Sequence, residues 1–192
     1  MKIPNGARYN YVAFRSSEFI TEENILYFPV SPYEIIERHR WALTTYSALA
    51  QQMDCTIDDI SEAFQTDEAY TIFNGNNYTI AYNDTKYVDR IWFTLMHEIG
   101  HIYLNHFKDF EKTIIRRIGM SKKEYKVLEN EANAFARNVL SPAPVVEQLE
   151  EKSTDKLCTY FHLSKDAAKT RLDFLHSDVY WNNYTNVTFK IL

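Results

Sequence analysis

Apolar and polar positions alternate with a helical period over most of the chain and with a strand period over one short stretch near its middle. The first predicted helix opens at Ser31-Pro32-Tyr33-Glu34, where Ser31 can cap, Pro32 suits the first helical position and Glu34 completes a capping box. It is expected to run to about Gln51, and a shorter helix from Thr56 to about Phe64. From Ala69 to Asn83 two β-branched and aromatic runs flank Asn74-Gly75, which predicts an antiparallel hairpin. Ile91, Trp92, Leu95, Met96, Ile99, Ile102 and Tyr103 then recur as on a buried helix from about Tyr87 to His106. Thr113 to Ile118 reads as a short helix stopped by Gly119, and Ser121-Lys122-Lys123-Glu124 as a capping box opening a helix that ends before Pro142. Asp155 to Phe161 and Lys165 to Leu175 read as helix, turn, helix, with a strand expected at Val187 to Ile191.

At 192 residues, 45% of them hydrophobic, the chain can bury a core of its own. Without repeats or a Pro/Gly/Ser-rich linker, it reads as a main domain over 1–145 and a helical C-terminal extension over 146–192. No apolar run reaches the roughly 18 residues needed to span a bilayer, and the N-terminus lacks the apolar stretch of a signal peptide. A cytoplasmic protein without a membrane partner is expected. Cys55 and Cys158 form no CxxC pair, so they read as small hydrophobes rather than as a disulfide or zinc framework.

A net charge of -5 has the wrong sign for a protein held mainly by phosphate contacts. The helix-turn-helix pattern at 155–175 carries four basic and three acidic residues, too small a surplus to bind DNA. Direct nucleic-acid binding is therefore not expected. The basic stretch from Lys108 to Lys126 reads as a solvated face, with a docking patch for an acidic partner as the alternative.

The candidate chemistry lies in His97-Glu98-Ile99-Gly100-His101, an HExxH motif. Positions four apart share a helical face one turn apart, so both imidazoles can bind one metal, with Glu98 beside them to take a proton from the attacking water. Gly100 inside a helix costs about 1 kcal/mol relative to Ala, a sign that something packs too close for a Cβ. A catalytic zinc site also needs a third protein ligand. Glu129 can supply it, and Asn133 on the same face can accept a hydrogen bond from the non-ligating nitrogen of a zinc-bound histidine. Leu128, Ala132, Phe135 and Val139 form the adjoining stripe that docks this helix on the first. Glu131 is rotated about 200° from Glu129 but remains the rival ligand. His106, about 140° around from His101, is read as packing or capping and not as a ligand.

The run Phe93 to His106, followed by Glu129-Asn-Glu-Ala-Asn-Ala-Phe-Ala-Arg-Asn-Val-Leu-Ser-Pro142, resembles the ImmA/IrrE metallopeptidases, gluzincin-like zinc enzymes of bacteria and their mobile elements. The resemblance covers mainly residues 78–142 and extends more weakly to both sides. It implies an α+β fold, a helix-rich zincin-like metallopeptidase core with a small antiparallel sheet or hairpin packed on the HExxH helix. It also implies one Zn2+ per chain held by His97, His101 and Glu129, with Glu98 as general base and Asn133 behind the ligands. The expected partner is a helix-turn-helix repressor, since the best-known members cleave such repressors, or cause their cleavage, and so derepress a prophage or mobile element. Many relatives carry a further DNA-binding or sensor domain, for which this chain has no room, and Leu140-Ser141 stands where Leu-Met is commoner. The substrate is expected to extend along Tyr78 to Tyr82, with a Tyr, His or Arg as oxyanion donor. A non-catalytic anti-repressor that keeps the fold is the alternative.

Overall fold

Residues 9–22 form a helix that no capping residue announces, because Arg8 at its N-cap makes no side-chain capping bond. The computed structural model describes residues 2–116 and 119–177. The opening helix, α1 (Tyr9–Glu22), exists because Val12, Phe19 and Ile20 fall on one face and are buried. Tertiary burial, not a terminal signal, specifies it.

The helix expected from Ser31 to about Gln51 is three elements. Ser31 caps α2 (Pro32–Arg38) as read, but the helix stops there and Arg40 adopts a left-handed conformation (φ 55°). The chain then extends as β1 (Ala42–Thr45), where two threonines favour the pleat, and Thr45 caps α3 (Tyr46–Met53) through the Ala48 N–H. Helix α4 (Ile57–Phe64) follows with a reciprocal Thr56/Asp59 capping box.

The hairpin forms as predicted from β2 (Ala69–Phe73) and β3 (Tyr78–Tyr82). Asn74 closes its turn, with Oδ1 accepting from the N–H groups of Asn76 and Asn77 and Gly75 at φ 92°. The sheet is mixed: β1 adds in parallel to β3, giving the order β1-β3-β2. Strand β3 is therefore central, with partners on both sides, and Tyr78 to Tyr82 offer no edge to a substrate backbone. The edge near the site belongs to β2. Part of it is already covered, because Ile114 bridges Ile72 antiparallel and the Phe73 N–H donates to the Thr113 carbonyl. Thr113 to Arg116 is thus not the helix expected there; its β-branched run is drawn to the unpaired strand, while 117–118 lie outside the described residues.

One face of the sheet, including Tyr70 and Ala81, packs on Tyr46 and Ile60 of α3 and α4. The other, including Tyr78 and Ile80, packs on α5 (Val88–Tyr103). Helix α5 ends earlier than expected, with Asn105 left-handed, and His106 opens a separate turn, α6 (His106–Asp109). Helix α7 (Lys122–Leu140) starts at the predicted Ser121/Glu124 capping box and lies against both α5 and α1. Its Phe135 is fully buried, with ring centroids 5.2 Å from Phe19 and 5.6 Å from Tyr103.

Helices α8 (Ala143–Glu147), α9 (Thr154–Phe161) and α10 (Lys165–Asp173) add Val145, Val146, Leu157, Phe161 and Ala168 to the same core. Arg171 on α10 is fully buried and donates to the Arg137 carbonyl and to Asn138 Oδ1 of α7. The strand expected at Val187 to Ile191 lies outside the described residues. Both cysteines are free and half-buried against the core. No helix among the described residues is long and apolar enough to cross a membrane.

Candidate active site

Helices α5 and α7 pack against each other, and at Gly100 they leave no room for a side chain. A Cβ built on Gly100 would lie 3.0 Å from Phe135 Cδ1 and 3.3 Å from the Ala132 carbonyl oxygen, closer than side chains normally tolerate. Gly100→Ala gains about 1 kcal/mol of helix propensity but forces a contact with backbone that cannot rotate away, an overpacking cost of about 1 to 3 kcal/mol. The substitution should therefore destabilise the protein by about 1 kcal/mol, and thermal melts should show a drop of roughly 2 to 4 °C. A rise in melting temperature would contradict the packing argument.

The close approach brings three side chains to one point. His97 Nε2 and His101 Nε2 are 3.0 Å apart, Glu129 Oε2 is 3.5 Å from His97 Nε2, and Glu129 Oε1 is 3.4 Å from His101 Nε2. Ligands about 2.0 to 2.1 Å from a tetrahedral zinc ion are about 3.3 Å from one another, so the triangle has the size a zinc ion requires. Two imidazole lone pairs at 3.0 Å also repel unless a proton or a cation lies between them. The donor set and the spacing fit a metal, and these three residues can hold one.

The electrostatics of the site agree. Burial alone would lower His97, but the neighbouring Glu129 outweighs it and raises the imidazole to about 9. Burial likewise opposes ionisation of Glu129, yet its contacts with His101 and His97 hold the carboxyl far below the usual range. A permanently ionised carboxylate facing two imidazoles suits a divalent cation. Asn133 Oδ1 lies 2.9 Å from His97 Nδ1.

Glu98 lies 7% exposed on the same helix, and the Thr71 hydroxyl donates to its Oε2 at 2.6 Å. Thr71 was not singled out in the sequence, because only the sheet brings β2 over this turn of α5. Glu98, the three possible ligands, Asn133 and Thr71 line one cleft of about 230 Å3. Of the residues suited to stabilise an oxyanion, Arg90, Arg116 and Tyr125 line it among the described residues.

Glu131 is not in the metal group. It is fully buried and faces the other way, where Arg8 donates to it from its backbone N, Nε and Nη2, and its Oε2 lies 3.1 Å from His106 Nε2. Burial opposes its ionisation, but His106 and Arg8 bring the carboxyl down to about 2. His106 is also fully buried, with Nδ1 2.9 Å from His101 Nδ1. Neither the pairing of Arg8 with Glu131 nor that of His106 with Glu131 could be read from spacing, since the partners are 123 and 25 residues apart.

Comparison with known families supplies an independent line. The model of the IrrE N-terminal-like domain matches residues 55–173, well over half of the chain and the whole of the cleft-forming α5 and α7. No match was found among curated proteins or among solved structures. With a His-His-Glu group of the kind zinc peptidases use on the two helices that the family model spans, the chain belongs to the ImmA/IrrE metallopeptidase family.

Proposed function

We propose that this protein is a zinc-dependent, site-specific endopeptidase that cleaves a helix-turn-helix transcriptional repressor and thereby derepresses a prophage or mobile element. The observation that carries the chemistry is the His97, His101 and Glu129 triangle, of zinc-binding size and in one cleft with the buried Glu98. The repressor is supported by the family alone.

Zinc bound by these three residues would polarise the scissile carbonyl and acidify the attacking water. Glu98 accepts the proton and passes it to the leaving amine. Thr71 engages Oε2 of Glu98 and leaves Oε1 as the acceptor. Asn133 fixes the His97 ring, and Arg90, Arg116 or Tyr125 stabilises the charge that develops on the carbonyl oxygen. Extended substrate pairs with the edge of β2 near Ala69 and Thr71, both of which line the cleft. Because Thr113 covers that edge at Phe73, only a short stretch of substrate backbone is held, and selectivity depends on side chains and on docking outside the cleft.

The test is to incubate the zinc-loaded full chain with a helix-turn-helix repressor encoded beside it and analyse the products by mass spectrometry. The expected result is one cut, abolished by a chelator and restored by zinc. A repressor that stays intact under conditions in which the protein relieves repression in cells removes the substrate assignment.

A further inference from the structure

We propose that His106 is a positioning residue of the metal site, setting the tautomer of His101 through a buried chain that ends at Arg8. The inference rests on the reading of His97, His101 and Glu129 as zinc ligands, and it follows from counting protons along five contacts.

His101 can offer its Nε2 lone pair to a metal only if, as a neutral ring, it carries its proton on Nδ1. That Nδ1 lies 2.9 Å from Nδ1 of His106, a distance that needs one hydrogen between the two nitrogens. The hydrogen belongs to His101, so His106 Nδ1 accepts and His106 carries its own proton on Nε2. Nε2 is 3.1 Å from Glu131 Oε2, where an ionised carboxylate can only accept. The carboxylate is held in place by three donors of Arg8, at 2.8, 3.0 and 2.8 Å.

Every donor in the chain meets an acceptor. The reverse order, with His106 donating from Nδ1, would set its bare Nε2 against a carboxylate oxygen inside the protein and turn the His101 lone pair away from the metal. Both His106 and Glu131 are fully buried, so water cannot repair that mismatch. Helix α7 thus grips His101 at both ring nitrogens, through Glu129 at Nε2 and through Glu131 and His106 at Nδ1.

Two substitutions separate this role from simple packing. In His106→Asn the amide oxygen falls near the position of Nδ1, which keeps the acceptor for His101 and gives up the contact with Glu131. In His106→Gln the amide reaches the position of Nε2, which keeps the contact with Glu131 and gives up the acceptor for His101. Zinc affinity is measured by competition with a chelator of known affinity, on full-length chains shown to be folded. Loss of a group that orients a zinc-bound histidine typically costs 10- to 100-fold, so His106→Gln should bind zinc at least about 10-fold more weakly than wild type, and His106→Asn within about threefold of it. The opposite order, equal losses, or no loss in either variant would overturn the proposal.

Long-range proton–nitrogen correlation spectra of the histidine-labelled, zinc-loaded wild type give a readout that needs no variant. His106 should carry its proton on Nε2, with Nδ1 bare; a proton on Nδ1, or on both nitrogens, overturns the chain. Should the wild type bind no zinc, the ligand reading fails and the proposal with it. Normal zinc binding with the wrong His106 tautomer sinks the positioning role alone.

Discussion

Glu98→Gln should lower peptide-bond cleavage by at least about 10²- to 10⁴-fold while leaving zinc stoichiometry and partner binding unchanged. Gln has the shape of Glu, and its amide oxygen can still accept the Thr71 hydroxyl that now donates to Oε2 at 2.6 Å. The variant loses only the capacity to take a proton from the attacking water. Rates come from single-turnover cleavage of the repressor followed by mass spectrometry, and zinc content from metal analysis of the same sample. A variant that binds zinc and still relieves repression fully in cells would mean that the protein acts by binding, as a non-catalytic anti-repressor, and that the peptidase chemistry is not its mode of action.

The largest stability effect is expected at Phe135. Phe135→Ala empties a fully buried site between Phe19, Tyr103 and the bare backbone of Gly100, and aromatic-to-alanine changes in cores cost about 3 to 5 kcal/mol. At roughly 2 to 4 °C per kcal/mol for a chain of this size, the melting temperature should fall by about 6 to 20 °C. The zinc affinity should fall as well, because the face that seats Glu129 and Asn133 against α5 is no longer held. The tightest part of the clash built into Gly100, the 3.0 Å approach to Phe135 Cδ1, also disappears in this background while the 3.3 Å approach to the Ala132 carbonyl oxygen stays, so Gly100→Ala should destabilise this variant less than the wild type, a coupling that a double-mutant cycle reads directly. A loss under about 1 kcal/mol would show that the helices are held elsewhere.

The parts of the site legible in the sequence are those encoded by local periodicity. His97 and His101 share a face because they are four apart, Glu129 and Asn133 likewise, and the Ser121/Glu124 box and the Asn74-Gly75 turn declare themselves within four residues. The close packing at Gly100 was legible too, as a glycine where a helix tolerates one poorly.

Illegible were the features made by tertiary pairing. Strand β1 hides inside an apparent helical run because its pairing with β3 decides its conformation and Arg40 breaks the helix without a glycine. Thr113 to Ile115 became a strand-like edge only because β2 needed a neighbour. Glu131 looked like a spare ligand because spacing on one helix says nothing of Arg8, which arrives from the other end of the chain.

That distance between Arg8 and Glu131 has a consequence for modularity. The family model begins at Cys55, yet the residues before it supply Arg8 to Glu131, Phe19 to Phe135 and β1 to the edge of β3. A fragment trimmed to 55–173 would bury a carboxylate with no guanidinium beside it and bare a strand edge that invites pairing between copies. Such a fragment should aggregate instead of yielding a smaller peptidase. What can be recognised as a recurring segment is here smaller than what can fold, and any fusion or transplant of this enzyme has to carry its first helix along.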